Sequence, residues 1–127
     1  MTEPAPWLLA VGQVEIDVDD PAATQAAAAA ALAEAARQGA SLVVLPELLL
    51  SGYVFTDAAE ARRRAEPADG ATLALLRRCA PPGAVVVAGF CELAEDGRVH
   101  NSVMLVEDGR LLAVHRKTHL WGREKLV

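Results

Sequence analysis

The sequence predicts an α/β fold built on a mixed sheet. Three observations carry that expectation. A strand–helix–strand unit fills residues 7–46, its helix has explicit start and stop signals, and a later run of strands is punctuated by two Glu-Asp-Gly turns.

Residues 7–16, WLLAVGQVEI, read as a buried strand. The DVDDP that follows opens a helix, with Asp20 at the N-cap and Pro21 at the first helical position, where a missing N–H costs nothing. The helix runs through the alanine block to about Gln38, and Gly39 supplies a left-handed stop. Its small side chains let it lie close to a sheet. SLVVLP (41–46) is apolar on both faces, as a strand covered on both sides should be. Two strands joined by a helix make a βαβ unit, with a right-handed crossover expected.

A loop, SGYVFT, leads to a helix from Asp57 to about Glu66. Pro67–Gly70 breaks the chain. Asp69 is placed to cap a further helix over 71–79, which APPG ends. Residues 84–93 form a third strand. The turns at 95–97 and 107–109 bracket a fourth, and RLLAVHRK supplies a fifth, so strands three to five form an antiparallel meander.

Length and composition narrow the function. A chain of 127 residues without an internal linker fits one domain, taken as 1–127, and can bury a core. No apolar run approaches the ~18–20 residues that cross a bilayer, so no membrane role is expected. The first residues lack a basic n-region, which makes a cytoplasmic location the expectation. A net charge of −5 argues against nucleic-acid binding. Positive charge gathers after Gly109, where Arg110, Arg116, Lys117, Arg123 and Lys125 face a single acid, Glu124. Arg62, Arg63 and Arg64 read as a solvated helix face.

Cys79 and Cys91 show neither disulfide-scaffold nor metal spacing, and packing is the expected role of both. His115 and His119 would serve a metal on a helix, but on an extended segment they stand ~13 Å apart, so no metal site is expected. A phosphate-binding module is disfavoured because DVDDPA, not a glycine-rich loop, follows the first strand.

Glu47 is the one carboxylate in SLVVLPELLLSGY. An unpaired carboxylate in so apolar a stretch is expensive, so it is exposed, paired or used. It follows the second strand at the sheet edge where α/β proteins bind ligands, and Pro46 gives it a stiff mount. The pattern leaves two readings open, a general base or a carboxylate that caps a helix or pairs with an arginine. Lys117 ends the fifth strand. Alternation sends Arg116 and Lys117 to opposite faces, without saying which points to the rim. Asn101 and Ser102 are expected to satisfy backbone groups within their strand.

These stretches together resemble the nitrilase superfamily of carbon–nitrogen hydrolases. The resemblance rests on VGQVEIDVDDPAATQAAAAAAL, GASLVVLPELLLSGY, VVVAGFCE, NSVMLV and HRKTHLWGREKLV, and covers essentially the whole chain. It implies the N-terminal half of an α-β-β-α sandwich and a Glu-Lys-Cys thiol mechanism without metal or organic cofactor. Glu47 matches the general base and Lys117 the cation that stabilises the oxyanion. Glu124 is the acid available for a second family carboxylate, with a solvated loop charge as the alternative. His119 resembles a pocket residue, and Tyr53 and Trp121 are candidate apolar walls or core. The implied substrate is a small amide, ureido compound or nitrile.

The resemblance implies that the nucleophile's motif falls beyond Val127, and neither Cys91 nor Cys79 matches it. The expectation is therefore a partial hydrolase domain, inactive alone, whose complete relatives form homo-oligomers. A half sandwich should also leave one sheet face uncovered. The alternative is a truncated, non-catalytic protein that binds a complementary half or another partner.

Overall fold

The computed structural model describes residues 6–126; Met1–Ala5, part of the stretch read for a leader, and Val127 lie outside the described residues. Five strands make one sheet: β1 (Leu9–Val11), β2 (Leu42–Val44), β3 (Val85–Leu93), β4 (Val99–Glu107) and β5 (Arg110–Arg116). They lie side by side in sequence order. β1, β2 and β3 are parallel, while β3–β4 and β4–β5 are antiparallel, so the βαβ unit and the meander share a sheet. Three helices connect them: α1 (Pro21–Arg37), α2 (Ala58–Arg64) and α3 (Ala71–Cys79). No described helix is long and apolar enough to cross a membrane.

The signals around α1 act as read. The Asp20 carboxylate accepts the Ala23 N–H at 3.1 Å, which satisfies one of the open donors of the first turn. At the other end Gly39 adopts φ 74°, the Gly39 N–H reaches Ala36 O and the Ala40 N–H reaches Ala35 O, each at 3.0 Å. This paired arrangement closes the last turn.

Two expectations need correction. The first strand is three residues long, not ten, and it is an exposed edge: Leu9 and Val11 are 57% and 73% accessible. Its partner β2 stops before Pro46, which has no N–H to continue a ladder. Asp69 does not cap α3. Gly70 occupies the N-cap without a side-chain bond, and the longer Glu66 side chain reaches back to accept the Thr72 N–H at 2.8 Å and the Thr72 hydroxyl at 2.5 Å.

The core lies on one side of the sheet. Val86, Ala88, Phe90, Met104 and Val106 pack there against Ala28, Leu32 and Ala35 of α1 and Leu73, Leu75 and Leu76 of α3. The alternate residues Val85, Val87, Val103 and Leu105 point to the other face and are only half-buried. On that face Leu48, Phe55, Ala61 and Cys91 form a smaller cluster beneath α2.

Candidate active site

Glu47 stands on a tight turn pressed against the middle of β3. Leu48 and Leu49 are fully buried and pin the turn, and Leu48 takes a left-handed φ of 49°. The Gly89 N–H donates to Pro46 O and the Leu49 N–H to Gly89 O, both at 3.0 Å. A Cβ on Gly89 would lie 2.5 Å from Glu47 Cα and 2.7 Å from Leu48 N. A glycine is therefore required for the turn to seat, the usual meaning of glycine inside a strand.

Lys117 reaches the same rim because of a bulge. Glu107 pairs with Arg110 and Val106 with Leu111, but Leu105 pairs with Ala113, so Leu112 is an extra residue. Continued unchanged, the first register would set Arg116 opposite Asn101. The added residue instead sets Arg116 opposite Ser102, and the Lys117 N–H donates to Asn101 O at 2.8 Å. One residue thus decides which cation faces Glu47. Arg116 goes to the opposite face and forms a two-pronged pair with Glu92 at 2.9 and 2.7 Å, while Ser102 Oγ donates to the same carboxylate at 2.6 Å. These bonds, those from Arg116 foremost, hold the Glu92 carboxyl below its ordinary range.

Lys117 Nζ lies 2.9 Å from Glu47 Oε1 and 2.6 Å from Glu124 Oε1. Glu124 comes from the 3-10 turn Gly122–Leu126 and is fully buried, whereas the Glu47 side chain is 43% exposed. Glu124 Oε2 accepts the Trp121 N–H at 2.8 Å. Burial works to raise the Glu124 carboxyl, but the bonds from Lys117 and the Trp121 N–H outweigh it and bring the group down to about 2. The two carboxylates, Glu124 first, hold the Lys117 ammonium well above its usual range.

Of the other candidates, Tyr53 joins the rim, its hydroxyl donating to Trp121 O at 3.4 Å. Burial and the nearby Glu124 charge raise its phenol. The Trp121 side chain is 76% exposed, and His119 is exposed with no hydrogen bond to the cluster.

Sequence reasoning missed Asn101. Its side chain does not serve its own strand: Nδ2 donates to Glu47 Oε1 at 2.6 Å and to Glu124 Oε1 at 3.2 Å. The available signal was a polar residue within an apolar strand, which must bond to something once buried. Ser102, expected to serve the backbone, likewise bonds to Glu92.

Residues 8–127 match the family model described as carbon-nitrogen hydrolase. The chain belongs to the carbon–nitrogen hydrolase family. It is similar to an (R)-stereoselective amidase of Pseudomonas sp, with 41% identity over 85 residues, covering 66% of this chain and 30% of that protein. It is also similar to a nitrilase of Pyrococcus abyssi (strain GE5 / Orsay), with 40% identity over 95 residues, covering 72% of this chain and 36% of the nitrilase. The matches therefore span about a third of the length of these curated relatives.

Among solved structures, an N-terminal amidase superposes with a TM-score of 0.79 over 91% of this chain and 29% of its own, at 18% identity, a likeness of fold. An amidase from Nesterenkonia sp. gives 0.69 over 93% of this chain and 45% of its own, at 25% identity. The mixed sheet with its helices is thus the fold of this hydrolase family.

Cys91 lies opposite Asn101 in the β3–β4 ladder, whereas Cys79 is on the other side of the sheet. Cys91 is buried beneath α2 with its thiol on Ala61 O at 3.7 Å, and burial pushes that thiol up to about 12. Cys79 lies at the end of α3 and packs against the core on the helix side of the sheet.

Proposed function

We propose that residues 1–127 carry the base and the oxyanion site of a thiol-dependent hydrolase of non-peptide carbon–nitrogen bonds, acting on small amides, ureido compounds or nitriles. The observation that carries this reading is the unspent capacity at the rim. Lys117 uses two of its three N–H groups on Glu47 and Glu124, which leaves one for a developing oxyanion. Three of the four carboxylate oxygens hold protein donors; Glu47 Oε2 has none among the described residues.

In this reading Glu47 Oε2 takes the proton of a cysteine thiol as sulfur attacks the substrate carbon. The Lys117 ammonium stabilises the negative charge that collects on the substrate oxygen or nitrogen. For an amide, the leaving amine departs with the proton held by Glu47, and a thioester forms. Glu47 then deprotonates a water that attacks the thioester, and the acid and free thiol are released. Glu124, buried and fully bonded, anchors Lys117 and takes no proton.

This reading assigns the nucleophilic thiol to a segment outside residues 1–127. Burial disfavours the thiolate form of Cys91, and Cys79 packs on the helix side of the sheet, away from Glu47. The test is turnover by a chain that continues into a cysteine-bearing strand–turn segment, followed as ammonia or amine release. Glu47→Gln and Lys117→Ala should each lower kcat by roughly 10²- to 10⁴-fold in a folded protein. Full activity in either variant defeats the assignment.

A further inference from the structure

We propose that Asn101 is the positioning residue for Glu47: its side-chain amide fixes which carboxylate oxygen stays open and lets two carboxylates share one ammonium. This rests on the reading of Glu47 as the base. Asn101 Nδ2 and Lys117 Nζ donate to the same two atoms, Glu47 Oε1 and Glu124 Oε1, at 2.6 and 3.2 Å from the amide and 2.9 and 2.6 Å from the ammonium. Donors and acceptors alternate around a closed four-atom ring. The orientation of the amide follows from chemistry, because its neighbours are carboxylate oxygens, which accept from an N–H.

The two donors differ in what they contribute. Lys117 sits on a flexible stem and its side chain is 37% exposed, so it supplies charge more than direction. Asn101 is 4% exposed, and its backbone is held on both sides, by pairing with Cys91 and by the Lys117 N–H. Its amide is therefore a fixed point against which Glu47 is aimed. With Oε1 held by two donors the carboxylate cannot turn, and Oε2 is the oxygen presented.

Charge explains why an amide suits this position. Two carboxylates and one ammonium leave one negative charge in excess. A second cation would cancel it, but would also make Glu47 a weaker base. An apolar side chain would leave two Oε1 atoms facing each other with a single donor between them. The amide adds two N–H groups and no charge.

The test is a carbon-13 titration of the Glu47 carboxyl in the 127-residue chain, in parallel with Asn101→Leu and Lys117→Met. Asn101→Leu should raise the proton affinity of Glu47 by roughly tenfold, since a donor to its charged form is lost, and Lys117→Met should raise it further. A midpoint unchanged in Asn101→Leu but moved in Lys117→Met overturns the role of Asn101 and leaves the site reading intact. A midpoint indifferent to both overturns the site reading itself. The unaltered chain gives a second readout that needs no variant: the Asn101 side-chain amide protons should lie downfield of a free amide and follow the Glu47 titration. Amide signals at the free position that ignore pH overturn the proposal.

Discussion

Lys117 Nζ sits 2.9 Å from Glu47 Oε1, across a sequence separation of 70 residues. Two local features bring the pair together. Gly89 lets the Glu47 turn press onto β3, and the extra Leu112 rotates the end of β5 so that lysine rather than arginine faces the turn. The pair is thus a product of sheet geometry, with Glu47 on the turn that follows β2 and Lys117 directly after β5.

Lys117→Met should destabilise the fold. It strands Glu124, which is fully buried, without its cation. Removing one partner of a buried pair costs ~3–5 kcal/mol, and the exposure of Lys117 places the expected loss near the lower end, about 3 kcal/mol. Adding Glu124→Gln should recover part of it. Urea unfolding of the three proteins measures this; equal midpoints would contradict the burial of Glu124.

Acid should weaken the chain through the same residue. The Glu124 carboxyl moves from an ordinary value of 4.5 to about 2 in the folded chain. Between those values the unfolded chain binds more protons than the folded one, so stability falls as pH falls. The contribution is complete above about 4.5 and is lost toward 2. Glu124→Gln should therefore lose less stability between pH ~6 and ~3 than the unaltered chain, measured by denaturant melts at each pH. Parallel losses would show that Glu124 is not held ionised.

Gly89→Ala should cost about 1–3 kcal/mol or more, because the added methyl meets backbone atoms of the Glu47 turn rather than a side chain that can swing away. Thermal unfolding with an amide spectrum checks it. The largest shifts are expected at Glu47 and Leu48, and an unperturbed turn would refute the close approach.

The two thiols should react unequally. Cys91 is 1% exposed with its thiol raised to about 12, whereas Cys79 is only partly buried. Alkylation of the folded chain near pH 8, read by peptide mass, should label Cys79 well before Cys91. Faster labelling of Cys91 would reopen it as a nucleophile.

The sequence made some of this legible. Asp20, Gly39 and the Glu-Asp-Gly turns act through their own backbone or near neighbours, so their effect can be read locally. Glu47 and Lys117 were found through motif and strand position. The bulge was not, because nothing in Leu-Leu-Ala marks Leu112 as extra; the register of β4 against β5 decides it. Asn101 was misread for a related reason, since its amide serves partners 54 and 23 residues away. The choice of Glu66 over Asp69 as the cap of α3 depended on side-chain reach across a turn. Gly89 carried a usable sign, a glycine inside an otherwise apolar strand, whose partner was visible only in three dimensions.

The meeting of Glu47 and Lys117 can be tested directly by zero-length carbodiimide coupling of the 127-residue chain, with links located by peptide mass spectrometry. Lys117 and Lys125 are its two lysines, so assignment is simple. The predicted result is an amide bond between Lys117 and Glu47, lost in Glu47→Gln. Activated Glu47 that never couples to Lys117, with Lys117 joined instead to carboxylates elsewhere, would contradict the account.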